Sequence, residues 1–151
     1  MADILITAAP IDIDGLEARL RTTWRGSGAI VSFLGQVRAD DGVTTLLLEH
    51  YPGLTEQEIA RASQMAEARW LLDGLCIAHR VGALSPGDAI VFVAAAAAHR
   101  RDAFECVDFM MDYLKSQAPF WKKQYANGAE EWIEPRAADH ADARRWIRKE
   151  A

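Results

Sequence analysis

The chain has 151 residues, half of them apolar and 26% charged, with 17 Lys and Arg against 22 Asp and Glu and a net charge of -5. This is the composition of a globular chain long enough to bury a real core, not of a disordered one, and a pI near 5.3 argues against a general nucleic-acid binder. The charges are unevenly spread: residues 1–98 carry 7 basic and 12 acidic side chains, residues 99–151 carry 10 of each, and all four lysines (Lys115, Lys122, Lys123, Lys149) fall in that second part.

In chain order, residues 3–8 read as a first strand. Asp12 or Asp14 then caps a helix whose apolar positions Ile13, Leu16, Leu20 and Trp24 recur at helical spacing. Residues 28–38 are rich in β-branched and aromatic side chains and read as a strand. A turn at Ala39-Asp40-Asp41-Gly42 follows, and residues 43–51 are expected to return as the partner of that strand. Thr55 and Glu58 form a T-x-x-E capping box that opens a helix through Ile59, Ala62, Ala66 and Trp70, closed at Asp73-Gly74. Residues 75–84 make the next strand, Ser85 to Asp88 a turn, and residues 89–98 another strand. The longest helix is expected over residues 99–118, stopped by Pro119. A hairpin turns at Asn127-Gly128, and a short helix over about residues 139–149 ends the chain.

This order does not repeat a βα unit regularly. It predicts an α+β sandwich with a mixed, largely antiparallel sheet, as a single domain over residues 1–151. Two distant cysteines, Cys76 and Cys106, offer neither a disulfide framework nor a zinc site and suit a reducing compartment. The N-terminal segment has no signal-peptide pattern, and the longest apolar run, residues 89–98, is half of the roughly 20 residues that a membrane span needs. The expected location is the cytoplasm. No metal-ligand spacing and no nucleotide-binding glycine motif occurs, so neither a metal nor a cofactor is expected.

The chemistry gathers in the lysine-bearing part. At about 100° per residue, Phe104, Val107, Met111, Leu114 and Ala118 fall on one arc of the long helix, taken as its core face, with Lys115 at the border about 20° from Phe104. A lysine there either packs its stem and extends its ammonium to water, or stands in a partly apolar pocket as a base or nucleophile with a depressed pKa. In a strand after Pro119, Phe120 and Lys122 share one face while Trp121 and Lys123 share the other. Adjacent lysines often mark a solvated sheet edge. The proline turn could instead fold Lys122 back towards Lys115, so that two cations lower each other's pKa and bind an anion. His99 and Arg100 open the long helix, where free N–H groups and the helix dipole favour an anion. Arg38 closes the strand at residues 28–38, while His50 and His79 sit inside strands and read as core or sheet-surface residues. The neighbours of Cys106 do not favour a thiolate.

Five segments in unbroken order, FLGQVR (33–38), LLLEHYPGLTE (46–56), AHRVGALSPGDAIVFV (78–93), AHRRDAFECVDFMMDYLKSQAPFWKK (98–123) and EWIEPR (131–136), resemble the large, catalytic subunit of molybdopterin synthase. The resemblance implies an α/β hammerhead fold and a homodimer that carries a small ubiquitin-like sulfur carrier at each outer end, a heterotetramer in all. The carrier's C-terminal Gly-Gly thiocarboxylate would enter a pocket of the large subunit and deliver two sulfurs to cyclic pyranopterin monophosphate, forming the dithiolene of molybdopterin. By position in the motif, Lys115 matches the principal catalytic lysine and Lys122 the second. Gln36, Val37, Arg38, His99, Arg100, Lys123 and Gln124 match substrate-pocket positions, and Phe33, Met111 and Arg136 match residues around that pocket. Gln36 and Gln124 stand where the family commonly has a lysine and a glutamate. The competing expectation is a non-catalytic module that grips a ubiquitin-like tail or a phosphorylated ligand.

Overall fold

The computed structural model describes residues 2–39 and 42–147, and the elements alternate without a regular βα repeat. In order they are β1 (Asp3–Thr7), α1 (Ile13–Thr23), β2 (Ala29–Gln36), β3 (Val43–His50), α2 (Leu54–Arg69), β4 (Leu72–Arg80), β5 (Gly82–Leu84), β6 (Ala89–Ala97), α3 (Arg100–Ser116), β7 (Phe120–Ala126), β8 (Ala129–Ile133) and α4 (Ala137–Arg144). Two four-stranded sheets result, ordered β1-β4-β6-β2 and β5-β3-β7-β8. The first is mixed, because β1 runs parallel to β4; every pair in the second is antiparallel. The α+β expectation stands.

The first sheet is covered on both faces, which explains why β4 and β6 are almost continuously apolar. Leu75 and Ile77 of β4, with Val91, Val93 and Ala95 of β6, pack against Ile59, Ala62 and Ala66 of α2 and Cys106, Val107, Met110 and Leu114 of α3. Cys76, Ala78, Phe92 and Ala94, pointing the other way, meet Leu20 of α1, with Ile13, Leu16 and Trp24 at the margin. Gly74 lies so close to the Trp24 indole that a Cβ there would stand 2.1 Å from Nε1, so only glycine lets α1 close on the sheet. A smaller core of Val37, Leu46, Leu48 and Leu84 joins the second sheet to the exit of β2.

Four details depart from the sequence reading. First, β3 does not pair with β2: β2 runs beside β6, while β3 lies between β5 and β7 in the other sheet. The turn that was to join them falls partly at Asp40 and Asp41, outside the described residues. Second, the capping box of α2 is two residues earlier, with Gly53 as N-cap and its N–H donating to Glu56 Oε2 at 2.6 Å. Thr55 is buried instead, accepting from the Tyr51 N–H at 3.0 Å and donating to the Pro119 carbonyl at 3.0 Å. Third, Asp73-Gly74 lies within β4 and Gly82, at a φ of 95°, divides the expected strand 75–84 into β4 and β5. Fourth, Phe104 is 56% exposed, while Ala103, Cys106, Phe109 and Met110 are buried. The core face of α3 is therefore rotated away from Phe104: it keeps Val107 and Leu114 and takes in Ala103, Cys106, Phe109 and Met110, while the Phe104 ring lies outside.

The rest follows the pattern. Asn127 and Gly128 both have positive φ, 52° and 78°, as a two-residue hairpin turn requires. The last helix begins at Ala137 rather than near 139 and is described to Arg144; Lys149 lies outside the described residues. It is held to α3 by Arg145, which reaches Asp108 and Asp112 at 2.7 Å each.

Candidate active site

The turn at Pro119 is what makes a site out of two distant-looking lysines. The Gln117 and Ala118 N–H groups both donate to the Tyr113 carbonyl, closing α3, and the Phe120 N–H donates to the Ala118 carbonyl at 2.8 Å across the proline. Thr55 pins this turn from α2 through its bond to the Pro119 carbonyl. The chain leaves it as β7, whose period-two alternation sets Phe120, Lys122 and Gln124 on one face. In register, Lys122 lies opposite Leu48 of β3 and Ile133 of β8.

That face closes a cleft of about 220 Å³. Its walls come from the exit of β2 (Gln36, Val37, Arg38), the end of α3 (Leu114, Lys115, Ala118), β7 (Phe120, Lys122, Gln124) and the segment leading into α4 (Ile133 to Arg136, and Asp139). The ionisable lining is Arg38, Lys115, Lys122 and Arg136 against Glu134 and Asp139, four cations to two acids in a chain of net charge -5. Such a concave, partly apolar cleft concentrates positive potential where an anionic group can enter. A deeper chamber of about 60 Å³ continues inward, lined by Phe33, Gln36, Met111, Lys115, Lys122 and His79 among others.

The two lysines are not equivalent. Burial first, and the Lys115 ammonium beside it second, together lower the Lys122 pKa from the ordinary 10.5 to about 8, with the Asp139 carboxylate partly opposing both. At pH 7 about a tenth of Lys122 is then the neutral amine, against well under a thousandth for an ordinary lysine. Lys115 sits in the last turn of α3, where a cation suits the negative end of the helix dipole. Asp139 is itself placed by its role at the start of α4, accepting from the Arg136 N–H at 3.0 Å.

Of the residues singled out from the sequence, Gln36, Val37, Arg38, Lys115, Lys122, Gln124 and Arg136 line the cleft, and Phe33 and Met111 line its inner chamber. Lys123 is not brought in. It points to the opposite face of β7, where it pairs with Glu130 at 3.1 Å and stands 5.0 Å from the Trp132 ring centroid. His99 and Arg100 are not brought in either: they begin α3 and Lys115 nearly ends it, about 22 Å away along the helix axis. Sequence reasoning missed Asp139 and His79. The first has no motif. The second had a signal, since His79 continues the odd-numbered row Leu75, Ile77 that faces α3. Cys106 behaves as expected: it is fully buried, and burial followed by the nearby Glu67 pushes its thiol up to about 12, far from a thiolate.

The chain is similar to known proteins over most of its length. The family model described as MoaE protein matches residues 6–117. The molybdopterin synthase catalytic subunit of Caulobacter vibrioides is 53% identical over 121 residues, covering 80% of this chain and 81% of that protein. A solved structure of the molybdopterin biosynthesis MoaE protein from Burkholderia ambifaria superposes with a TM-score of 0.83 at 44% identity, covering 97% of this chain and 98% of that one. The crystal structure of molybdopterin synthase from Staphylococcus aureus gives 0.75 at 28% identity, over 87% of this chain and 96% of that one.

Proposed function

The chain belongs to the MoaE family, the catalytic subunits of molybdopterin synthase, and we propose that Lys115 and Lys122 are the side chains with which it transfers sulfur. The donor is a thiocarboxylated Gly-Gly tail of a small ubiquitin-like carrier, and the acceptor is cyclic pyranopterin monophosphate. Two transfers turn the acceptor into the dithiolene of molybdopterin and leave each carrier ending in a carboxylate.

One observation carries this reading: a cationic cleft in an acidic chain holds two lysines side by side, one of them with its pKa drawn down to about 8. Both reactants are anions, a phosphate and a thiocarboxylate, and Arg38, Arg136 and the Lys115 ammonium supply complementary charge. Opening the pterin side chain and expelling water need proton transfers near neutral pH, and a lysine with an accessible neutral form is matched to that task. Lys122 takes this acid–base role. Lys115, in the last turn of α3, meets the carrier's terminal carbonyl.

His99 and Arg100 lie too far along α3 to serve the cleft of their own chain, so they contribute to substrate binding from a second copy. This fits a homodimer with one carrier at each end. Among the described residues no helix is long and apolar enough to cross a membrane. Two buried free cysteines suit a reducing compartment, and in this reading the enzyme works in the cytoplasm.

The test is reconstitution. The purified chain, a thiocarboxylated carrier and cyclic pyranopterin monophosphate should yield dithiolene product; no product with a carrier that supports another synthase would refute the reading.

A further inference from the structure

The inner chamber contains one titratable side chain that the sulfur-transfer reading does not use. His79 is 5% exposed and sits near the end of β4, the second strand of the first sheet. Its row on that strand, Leu75 and Ile77, is otherwise aliphatic and packs on α2 and α3. A histidine thus stands where a third aliphatic side chain would complete the core, at the point where the core opens into the chamber.

Its geometry is fixed from two sides. Nδ1 lies 2.8 Å from the Arg80 carbonyl, which can only accept, so Nδ1 carries the proton. The ring stacks on Phe120 with centroids 3.9 Å apart and planes 14° from parallel. Burial, with Lys122, Lys115 and His50 nearby, holds its pKa down to about 4 despite the Arg80 carbonyl, so the ring is neutral at working pH. In that tautomer Nε2 is a lone-pair acceptor.

The chamber is short of acceptors. It is lined by Phe33, Gly35, Ile90, Val91, Met111 and Leu114, together with Gln36, His79 and the two lysines. Apart from the Gln36 amide and a weak thioether, His79 alone among these side chains can accept from an ammonium. An ammonium drawn out of water without an acceptor is costly, and about 60 Å³ leaves room for a bridging water where a direct bond would be too long.

We propose that His79 is a positioning residue for the sulfur-transfer reaction: its Nε2 lone pair, oriented by the Arg80 carbonyl and the Phe120 stack, accepts from the Lys122 ammonium through one bridging water and holds that lysine in the chamber. The proposal rests on the assignment of Lys122 made above. The ionisable groups facing the ring are Lys115 from α3, Lys122 from β7 and His50 from β3; Asp139 of α4 faces Lys122, and Arg38, Glu134 and Arg136 stand around the wider cleft.

The chain has only four lysines, so carbon-13 labelling of lysine gives a spectrum in which each can be titrated separately. Loss of an acceptor destabilises the ammonium. In His79→Phe, which retains a ring on Phe120, the Lys122 midpoint should therefore fall below about 8. His79→Gln, which restores an acceptor near the Nε2 position, should bring it back towards the wild-type value. In the unmodified protein, the nitrogen-15 resonance of Nε2 should show an inflection at the Lys122 midpoint, a measurement that no folding defect can spoil. Turnover should drop at least tenfold in His79→Phe and recover in part in His79→Gln. An unchanged Lys122 midpoint in His79→Phe, an Nε2 signal blind to that titration, or full turnover in His79→Phe would each overturn the proposal. The two spectroscopic arms need neither carrier nor substrate. They can fail while the unmodified chain still makes product, and they can succeed if it makes none.

Discussion

Lys122 and Lys123 are neighbours in sequence and opposites in environment. Both lie on β7, one rise apart, and the pleat sends them to opposite faces of the same sheet. Lys122 enters a cleft with a second ammonium beside it and an apolar wall behind. Lys123 lies over an indole ring with a carboxylate at 3.1 Å. The first is pressed towards its neutral form, and the second is engaged in an ion pair. The difference teaches that the chemistry of a lysine pair is written by strand parity: one residue of slip in the β3–β7 register would exchange their roles and remove the site.

The most severe way to test this contrast is to truncate each lysine. Lys122→Ala should lower turnover by about 10²–10⁴-fold, the range expected when a positioned acid–base group is removed. Lys123→Ala should leave turnover within about twofold. Equal losses in a reconstituted synthase would break the comparison. Lys115→Ala should stop turnover as completely as Lys122→Ala while carrier binding, followed by titration calorimetry, stays largely intact; loss of carrier binding instead would mean that Lys115 anchors the tail and does no chemistry.

How much of this could be seen in the sequence depends on the range of the interaction. Strand parity is local, so the separation of Lys122 from Lys123 was legible, as were the hairpin at Asn127-Gly128, the stop at Pro119 and the neighbouring positions of Lys115 and Lys122. The pairing of β3 was not: a short turn after β2 suggests a hairpin, and only the competition of β6 for β2 and of β5 and β7 for β3 sends the two strands into different sheets. The rotation of α3 about its own axis is hidden from the sequence for a related reason. Periodicity locates a stripe but cannot rank Phe104 against Cys106 and Met110 for the narrow space above the sheet. Asp139 comes to the cleft from α4 and no spacing rule announces it, whereas His79 shows only as the polar member of an otherwise aliphatic row on β4. Motif resemblance placed His99 and Arg100 with the lysines, yet the length of one helix keeps them apart within a single chain.

The next effect is on stability. A lysine whose folded pKa is about 8 against an ordinary 10.5 binds its proton less tightly in the folded chain than in the unfolded one. Stability therefore carries a full penalty below about pH 8 and recovers it as pH rises towards 10.5, a span worth about 3 kcal/mol. Lys122→Met should accordingly raise unfolding free energy by up to about 3 kcal/mol at pH 7, with a gain that shrinks steadily in urea titrations between pH 8 and 10.5. Lys123→Met gives up an ion pair with a half-exposed carboxylate and should change the unfolding free energy by no more than about 1 kcal/mol, with no gain that fades between pH 8 and 10.5. A gain for Lys122→Met that did not fade at high pH would assign it to packing and remove the charge from the explanation.

The finest test separates the causes acting on Lys122 itself. Burial is the leading one and the Lys115 charge comes next, with the Asp139 carboxylate opposing. Lys115→Met takes away a neighbouring cation and should raise the Lys122 titration midpoint, but not to the ordinary 10.5, because the apolar wall remains. Asp139→Asn can still accept from the Arg136 N–H, so α4 keeps its start, and the loss of the negative charge should lower the midpoint. Glu130→Gln acts on the other face of β7 and should leave Lys122 where it was, although Lys123 loses its partner. Were Glu130→Gln to move Lys122 as far as Asp139→Asn does, charge would be felt through the sheet as readily as across the cleft. The two faces of β7 would then be one electrostatic environment, and strand parity would not be what distinguishes the two lysines.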